Sequence, residues 1–401
     1  MGLAKRDMET VEAQGFYCKA DKYVCSDCVG DYALKAHIQQ YAVRNQCDYC
    51  NRTCSQHIAA HIKQLLQIVV DGIRTEWGEP SDEGVSWDGR EGGWQGVSVL
   101  NSYELIYCDL NEEMQIDCDE LLDDIMDALR EKQWCRINPY ALREHEENLF
   151  TWELFCDQVK HETRYVFFHT NDENNTYGNM YAQPHEILKT IGSAAKALGL
   201  IHIAAKGFSF VRGRTHNDST GFLKVSELAS PPRASATYPN RMSPAGIPMF
   251  YGGLDHATAT DEIRDDNNYV TLGTFINLHD IVLLDLSRDI PVPSLFDEQR
   301  RSLRNAAIFF KQFVRNLSKP IEKDKIEHIE YVPTQIVTEY FRRMYATERG
   351  QRLQGILYPS SKRKGGVCCV LFVENEHCTQ DFKDVSKLLS LDSRSIVTRA
   401  L

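Results

Sequence analysis

Apolar positions along the chain change their period several times, and each change predicts an element. From Asp31 to Val43, Leu34, Ile38 and Tyr41 recur at helical spacing. Ser55 is placed to cap a longer helix, on which Ile58, Ile62, Leu65, Leu66, Val69 and Ile73 form one apolar stripe. The pattern breaks over residues 78–102, rich in Gly, Ser, Asp and Trp, which read as a surface excursion with Trp87 and Trp94 tucked back in. It resumes at Asp117 or Asp119, with Leu121, Leu122, Ile125, Met126 and Leu129 inward and acidic residues outward. Trp152, Phe155, Val159 and the run from Tyr165 to Phe168 predict one more helix in the same bundle.

Residues 170–181 are polar, amide-rich and without an apolar period, which predicts a linker. A mostly helical N-terminal domain is therefore expected over 1–175 and a second domain over 176–401. In the second, Pro184 opens a helix and Gly199 closes it. Phe208 to Arg212, Ile247 to Tyr251, Tyr269 to Ile276 and Ile281 to Leu286 read as strands by their apolar, β-branched and aromatic content. Ser294 is expected to cap a long helix through Leu317, and Pro333 to start another ending near Met344. Gly355–Tyr358 and Val367–Val373 return to the sheet. The predicted class is α+β, a helical domain followed by a mixed α/β one.

Length and composition suit this division. A chain of 401 residues, 42% hydrophobic and 25% charged, can fill two or three cores. A net charge of -12 and a pI near 5.6 argue against a large non-specific nucleic-acid surface, which would be basic. No apolar run reaches the roughly 18 residues of a membrane span, and the N-terminus shows no hydrophobic signal core, so a cytoplasmic protein is expected.

The 13 cysteines are distributed unevenly. Cys25-Ser-Asp-Cys28 and Cys47-Asp-Tyr-Cys50 form two Cys-x-x-Cys pairs, a spacing that lets four thiolates close a tetrahedral structural zinc site. Cys18, Cys54, His57 and His61 are reserve ligands. The later cysteines stand singly among apolar residues and read as core.

Candidate chemistry concentrates in Tyr238–Arg264. Here Ser243-Pro-Ala-Gly246 supplies a turn, Arg241 precedes it, Tyr251 ends the apolar run, and Asp255 caps a short helix from His256 to Arg264 bearing Glu262. Arg241-Met-Ser-Pro-Ala-Gly-Ile-Pro-Met-Phe-Tyr251 with Thr258-Ala-Thr-Asp-Glu262 resembles the core of the RES domain. The likeness extends upstream to Phe210-Val-Arg212-Gly-Arg214 and Leu228-Ala-Ser-Pro-Pro232. Downstream it includes Leu272-Gly-Thr-Phe275, Leu283-Leu-Asp285, Val332-Pro-Thr-Gln335 and Gly355-Ile-Leu-Tyr358-Pro-Ser360-Ser361, a core of about 205–375. Arg-Met-Ser-Pro departs from the smaller RES proteins, in which an aromatic residue and Asn often follow the Arg.

The resemblance implies an ADP-ribosyltransferase-like fold and an enzyme that degrades NAD by hydrolysis or phosphorolysis. Arg241, Tyr251, Glu262 and Ser360 would be its catalytic residues, and Arg212, Arg214 and Ser361 would help bind the dinucleotide. Carboxylate, guanidinium and phenol are the groups such chemistry needs: one for a cationic sugar carbon, one for pyrophosphate, one for the nicotinamide ring. RES proteins resemble the toxins of toxin and antitoxin pairs, which implies a neutralising partner or a trigger in antiphage defence. The N-terminal region resembles the zinc-bearing helical domain ahead of some RES domains, related by name to the HEPN group. Three alternatives stay open: an ADP-ribosyltransferase acting on a macromolecule, a zinc-dependent binding module, and a HEPN-type ribonuclease using Arg164-Tyr-Val-Phe-Phe-His169.

Overall fold

A computed structural model describes residues 14–166, 184–319 and 327–401, and these form two compact units. The first comprises Met1–Arg143 and Val292–Asn305, the second Glu144–Pro291 and Ala306–Leu401. The expected linker, and His169, lie outside the described residues.

In the first unit, strands Tyr23–Cys25 and Ala59–His61 pair antiparallel, and three helices pack beside them: Tyr32–Gln40, Ile62–Glu76 and Asp119–Leu129. Asp31 caps the first helix, accepting from the backbone N–H groups of Ala33 and Leu34 at 2.9 Å. The second helix starts seven residues after Ser55, because Ala59-Ala60-His61 is drawn into the sheet; His61 caps it instead, its Nδ1 accepting from Lys63 N at 3.1 Å. Ile62, Leu65, Leu66, Val69, Val70 and Ile73 then bury one continuous face. Each such side chain contributes roughly 1.5–3 kcal/mol. Trp87 is over half exposed and pairs edge-to-face with Trp94, while Trp77 enters the core in place of the expected pair.

Ser294 does not start the long helix. Its hydroxyl accepts from Phe296 N at 3.0 Å, and the chain runs on without helix until Arg301. Leu295 and Phe296 insert into the first unit's core, and a side chain at Gly72 would meet the Phe296 ring at 2.7 Å. Arg304 pairs with Glu113 and Glu76, and Tyr32 donates to Asp297 at 2.7 Å. This segment of the later sequence is thus a structural part of the first unit.

The second unit is built on a nine-stranded mixed sheet. Its spatial order is Cys378–Thr379, Leu389–Ala400, Tyr269–Asn277, Ser209–His216, Phe250–Gly253, Val367–Leu371, Gly355–Pro359, Ile281–Asp285, Ile201–Ala204. Only the first pair and the pair joining Gly355–Pro359 to Ile281–Asp285 are parallel. Several strands differ from expectation. The run from Ile247 forms a strand only over Phe250–Gly253, and Ile201–Ala204, Cys378–Thr379 and Leu389–Ala400 are unforeseen; the last covers Tyr269–Asn277 along its length with a register shift between Leu272 and Thr274.

Helix Glu144–Asp157, expected in the N-terminal bundle, belongs here; Trp152 packs edge-to-face on Phe313 at 5.0 Å, within the buried row Phe309, Phe310, Phe313 of helix Arg304–Ser318. Helix His256–Ile263 lies on the sheet through Ala259 and Ile263 against Val211, Val270 and Leu272. Gly253 permits this close packing, since a Cβ there would stand 2.9 Å from the backbone nitrogen of Ala259 in the helix. Among the described residues no helix is long and apolar enough to cross a membrane.

Candidate active site and cysteine cluster

Glu262 occupies the last turn of a helix whose start is fixed by Asp255, which accepts from Thr258 N at 2.8 Å and from its hydroxyl at 2.6 Å. Its Oε1 accepts a short hydrogen bond from the Ser360 hydroxyl. Ser360 Oγ in turn accepts from Arg363 N at 2.9 Å and Lys362 N at 3.2 Å, so its one proton is directed at the carboxylate. Lys362 Nζ reaches Glu262 O at 2.8 Å and Arg363 pairs with Asp261 at 2.9 Å, tying the loop after strand Gly355–Pro359 to the end of the helix. Ser360 is a donor that aims Glu262, and among the described residues no histidine bonds its hydroxyl.

This carboxylate faces a cavity of about 860 Å³, lined also by Arg212, Arg241, Tyr251, Tyr358, Ser361 and Cys368. That volume lies within the usual range for a ligand pocket. Tyr251 Oη is 2.9 Å from Ser243 Oγ, and burial raises its phenol above the ordinary tyrosine range. Tyr358 is raised well above that range too, by burial and by the neighbouring Cys368, Tyr251 and Glu262. Both rings stay neutral at physiological pH. The Cys368 thiol, which lines the same cavity, is likewise pushed up by burial and by the negative charge of Glu262.

The arginines part company. Arg212 is pushed down to about 10 by burial and by the charge of Arg214. Its Nη1 donates to Tyr251 O at 2.5 Å, its buried Nε has no partner, and no carboxylate among the described residues pairs with it. Arg214 lies outside the lining, donating to Glu227 O at 2.6 Å above the Phe222 ring. Arg241 reaches the cavity wall but spends Nη1 on two backbone carbonyls, Leu317 O at 2.8 Å and Lys319 O at 2.9 Å. Six of the seven residues expected in the site therefore converge. Tyr358 and Cys368 were not foreseen; they meet across paired strands, in the register Tyr358 opposite Cys368, which no local motif reveals.

In the first unit the sulfurs of Cys25, Cys28, Cys47 and Cys50 all lie within 4.8 Å of one another. Three of the separations are near-equal edges: Cys25 to Cys28 3.7 Å, Cys25 to Cys50 3.5 Å, Cys28 to Cys47 3.6 Å. A tetrahedral ion with bonds of ~2.3 Å to sulfur requires edges of about 3.8 Å, so the set can hold a metal ion. Cys25 N also points at Cys47 Sγ, at 3.3 Å. Cys18 instead donates to Ala20 O at 3.3 Å, and His61 is occupied by its cap and by Asp21.

With this geometry in place, comparison with known families is decisive for the second half. Residues 218–392 match the RES domain model. The chain carries a RES domain. Residues 40–173 match HEPN/RES N-terminal domain 1, the module that precedes it. No match is found among curated proteins or solved structures. The RES domain match begins after Arg212, and the strand carrying that arginine is nevertheless central to the sheet that contains the cavity.

Proposed function

We propose that the RES domain destroys NAD by breaking the bond between nicotinamide and ribose. In that step both electrons of the bond leave with the ring nitrogen, quenching its charge, while positive charge develops on the sugar carbon. Glu262, fixed by Ser360, is the negative group that stabilises this carbon, and the acceptor, water or phosphate, then bonds to it and gives up a proton. Arg212 binds the pyrophosphate: a buried guanidinium without a carboxylate partner is costly to hold and is relieved by an anionic ligand. Tyr251 and Tyr358 offer neutral aromatic faces for the nicotinamide. Arg241 and Ser361 bound the same cavity and contribute at its wall, whereas Arg214 lies outside the lining and is engaged by Glu227 O.

The observation that carries this reading is the pairing, in one cavity, of a carboxylate aimed by a hydroxyl and a buried cation that lacks a counter-charge. Membership of the RES domain supports NAD as the molecule that supplies both complementary charges. Incubating the purified chain with NAD and analysing products tests it: ADP-ribose or ADP-ribose phosphate with free nicotinamide is expected. A labelled macromolecule would select the transferase alternative, and unchanged NAD would leave the chain a binding module.

We propose further that Cys25, Cys28, Cys47 and Cys50 hold a structural zinc that pins the first unit's sheet to its helices, supported by the near-tetrahedral sulfur spacing. An enzyme that depletes NAD endangers its own cell. Restraint by a neutralising partner protein, or activation in antiphage defence through the N-terminal unit, follows as the biological setting, in keeping with a cytoplasmic toxin.

A further inference from the structure

The turn Asn240–Ser243 carries Arg241 and, through the Ser243 hydroxyl, touches Tyr251. It closes on itself by two backbone bonds, Asn240 N to Ser243 O at 2.8 Å and Ser243 N to Asn240 O at 3.2 Å. Both of those carbonyls accept a second bond from a single group: Gln335 Nε2 donates to Asn240 O at 2.8 Å and to Ser243 O at 3.2 Å. An amide nitrogen has two protons, and both are used. Around it on helix Val332–Glu339, Thr334 Oγ lies 2.5 Å from Arg241 O and Thr338 Oγ lies 3.2 Å from Met242 Sδ. One helix face thus addresses all four residues of the turn with polar groups, each no more than 7% exposed.

Packing alone does not call for this. Burying an amide and two hydroxyls costs free energy that apolar side chains of the same size would avoid, unless the hydrogen bonds define a geometry. We infer that Gln335 is a positioning residue: it fixes the turn, and through the turn the direction of Arg241 and the Ser243 to Tyr251 hydroxyl pair in the cavity. The inference rests on the NAD-cleaving reading for its consequence in turnover, but its geometric part is independent of that reading.

Two variants separate the roles. Gln335→Met keeps length and removes both donors. Gln335→Glu keeps shape, sets a carboxylate against two carbonyls at neutral pH, and regains one donor when protonated. With NAD, the Met variant should lose ten- to hundredfold in kcat/KM, with a raised KM as well as a lower kcat. The Glu variant should be at least as impaired at pH 7 and recover severalfold, relative to the parent at the same pH, by pH 5. A loss confined to kcat, equal to the loss of folded protein, with no recovery in acid, would assign Gln335 a merely structural role and overturn the inference. So would parent-like kcat and KM in both variants. Hydrogen exchange of peptides spanning 240–251 needs no turnover: it should accelerate at least tenfold in the Met variant, and unchanged exchange overturns the positioning role even if the parent is inert toward NAD. A parent that leaves NAD intact while this exchange does accelerate overturns the NAD-cleaving reading alone.

Discussion

Replacing Arg212 with methionine gives the most informative perturbation of the cavity, because it should act in opposite directions on the empty and the filled protein. Burial lowers the guanidinium from its ordinary 12.5 to about 10. At ~1.4 kcal/mol per pH unit this is a penalty of about 3 kcal/mol for keeping the charge in the fold. The sign follows from proton binding: between those two values the unfolded chain holds the proton more firmly than the folded one, so the penalty is complete at neutral pH and is relieved only as pH rises past 10. Against it stand the bond to Tyr251 O and the contact with the Phe250 ring, together about 1–2 kcal/mol. Arg212→Met should therefore melt at or slightly above the parent temperature, with a difference that is flat from pH 6 to 9. ADP-ribose keeps the pyrophosphate but has no bond to cleave. At about a hundred times its dissociation constant it should stabilise the parent by ~2.7 kcal/mol, or about 5–10 °C, and the variant far less. Differential scanning fluorimetry with and without ADP-ribose reads both effects. A variant several degrees less stable when empty, with the ADP-ribose shift intact, would refute the assignment of Arg212 as the anion's partner.

Two further outcomes concern the first unit. Cys47→Ser should abolish a content of about one zinc per chain, measured by atomic absorption, and lower the first unit's stability with it, because metal binding and folding are coupled; full zinc in a chain lacking both Cys-x-x-Cys pairs would exclude the site. Phe296→Ala should destabilise that unit by about 3–5 kcal/mol in chemical denaturation, as for other large buried aromatics, although the residue lies more than 150 positions beyond that unit's main segment. A change below about 1 kcal/mol would mean that the inserted segment is not part of its core.

Periodicity made much of the fold legible. The helices near Asp31, Asp119 and Ile187 and the strands near Tyr269, Ile281, Gly355 and Val367 lie where their apolar spacing places them, because in each the local pattern and the final burial agree. The failures are tertiary. Ser294 makes the local bond of a cap, yet Leu295 and Phe296 find more burial in the first unit than they would at the start of a helix. Trp152 and Phe155 signal a buried helix face but cannot say which unit buries it. The final strand escapes notice because Asp392–Ser395 interrupts its alternation, with Ser395 Oγ taking over a bond to Thr274 N at 2.8 Å. In the site, Glu262, Tyr251, Arg212 and Ser360 were readable because they stand in the order of a family motif. Cys368 reads as core, which it is by burial; only the pairing of its strand with Gly355–Pro359 brings it into the lining of the cavity that Glu262 faces.

In the proposed cleavage of NAD, Glu262 carries the charge on which nicotinamide release depends. Glu262→Gln retains the shape and an acceptor for Ser360 but not the negative charge, so ADP-ribose binding should survive while turnover falls. Loss of an electrostatic contribution of roughly 3–4 kcal/mol corresponds to a rate two to three orders of magnitude lower. Nicotinamide release from NAD, followed chromatographically for parent and variant of equal folded content, measures this directly. Release by the parent, and a hundred- to thousandfold slower release by Glu262→Gln at unchanged affinity for ADP-ribose, is the expected result. Release by the variant at nearly the parent rate would contradict it.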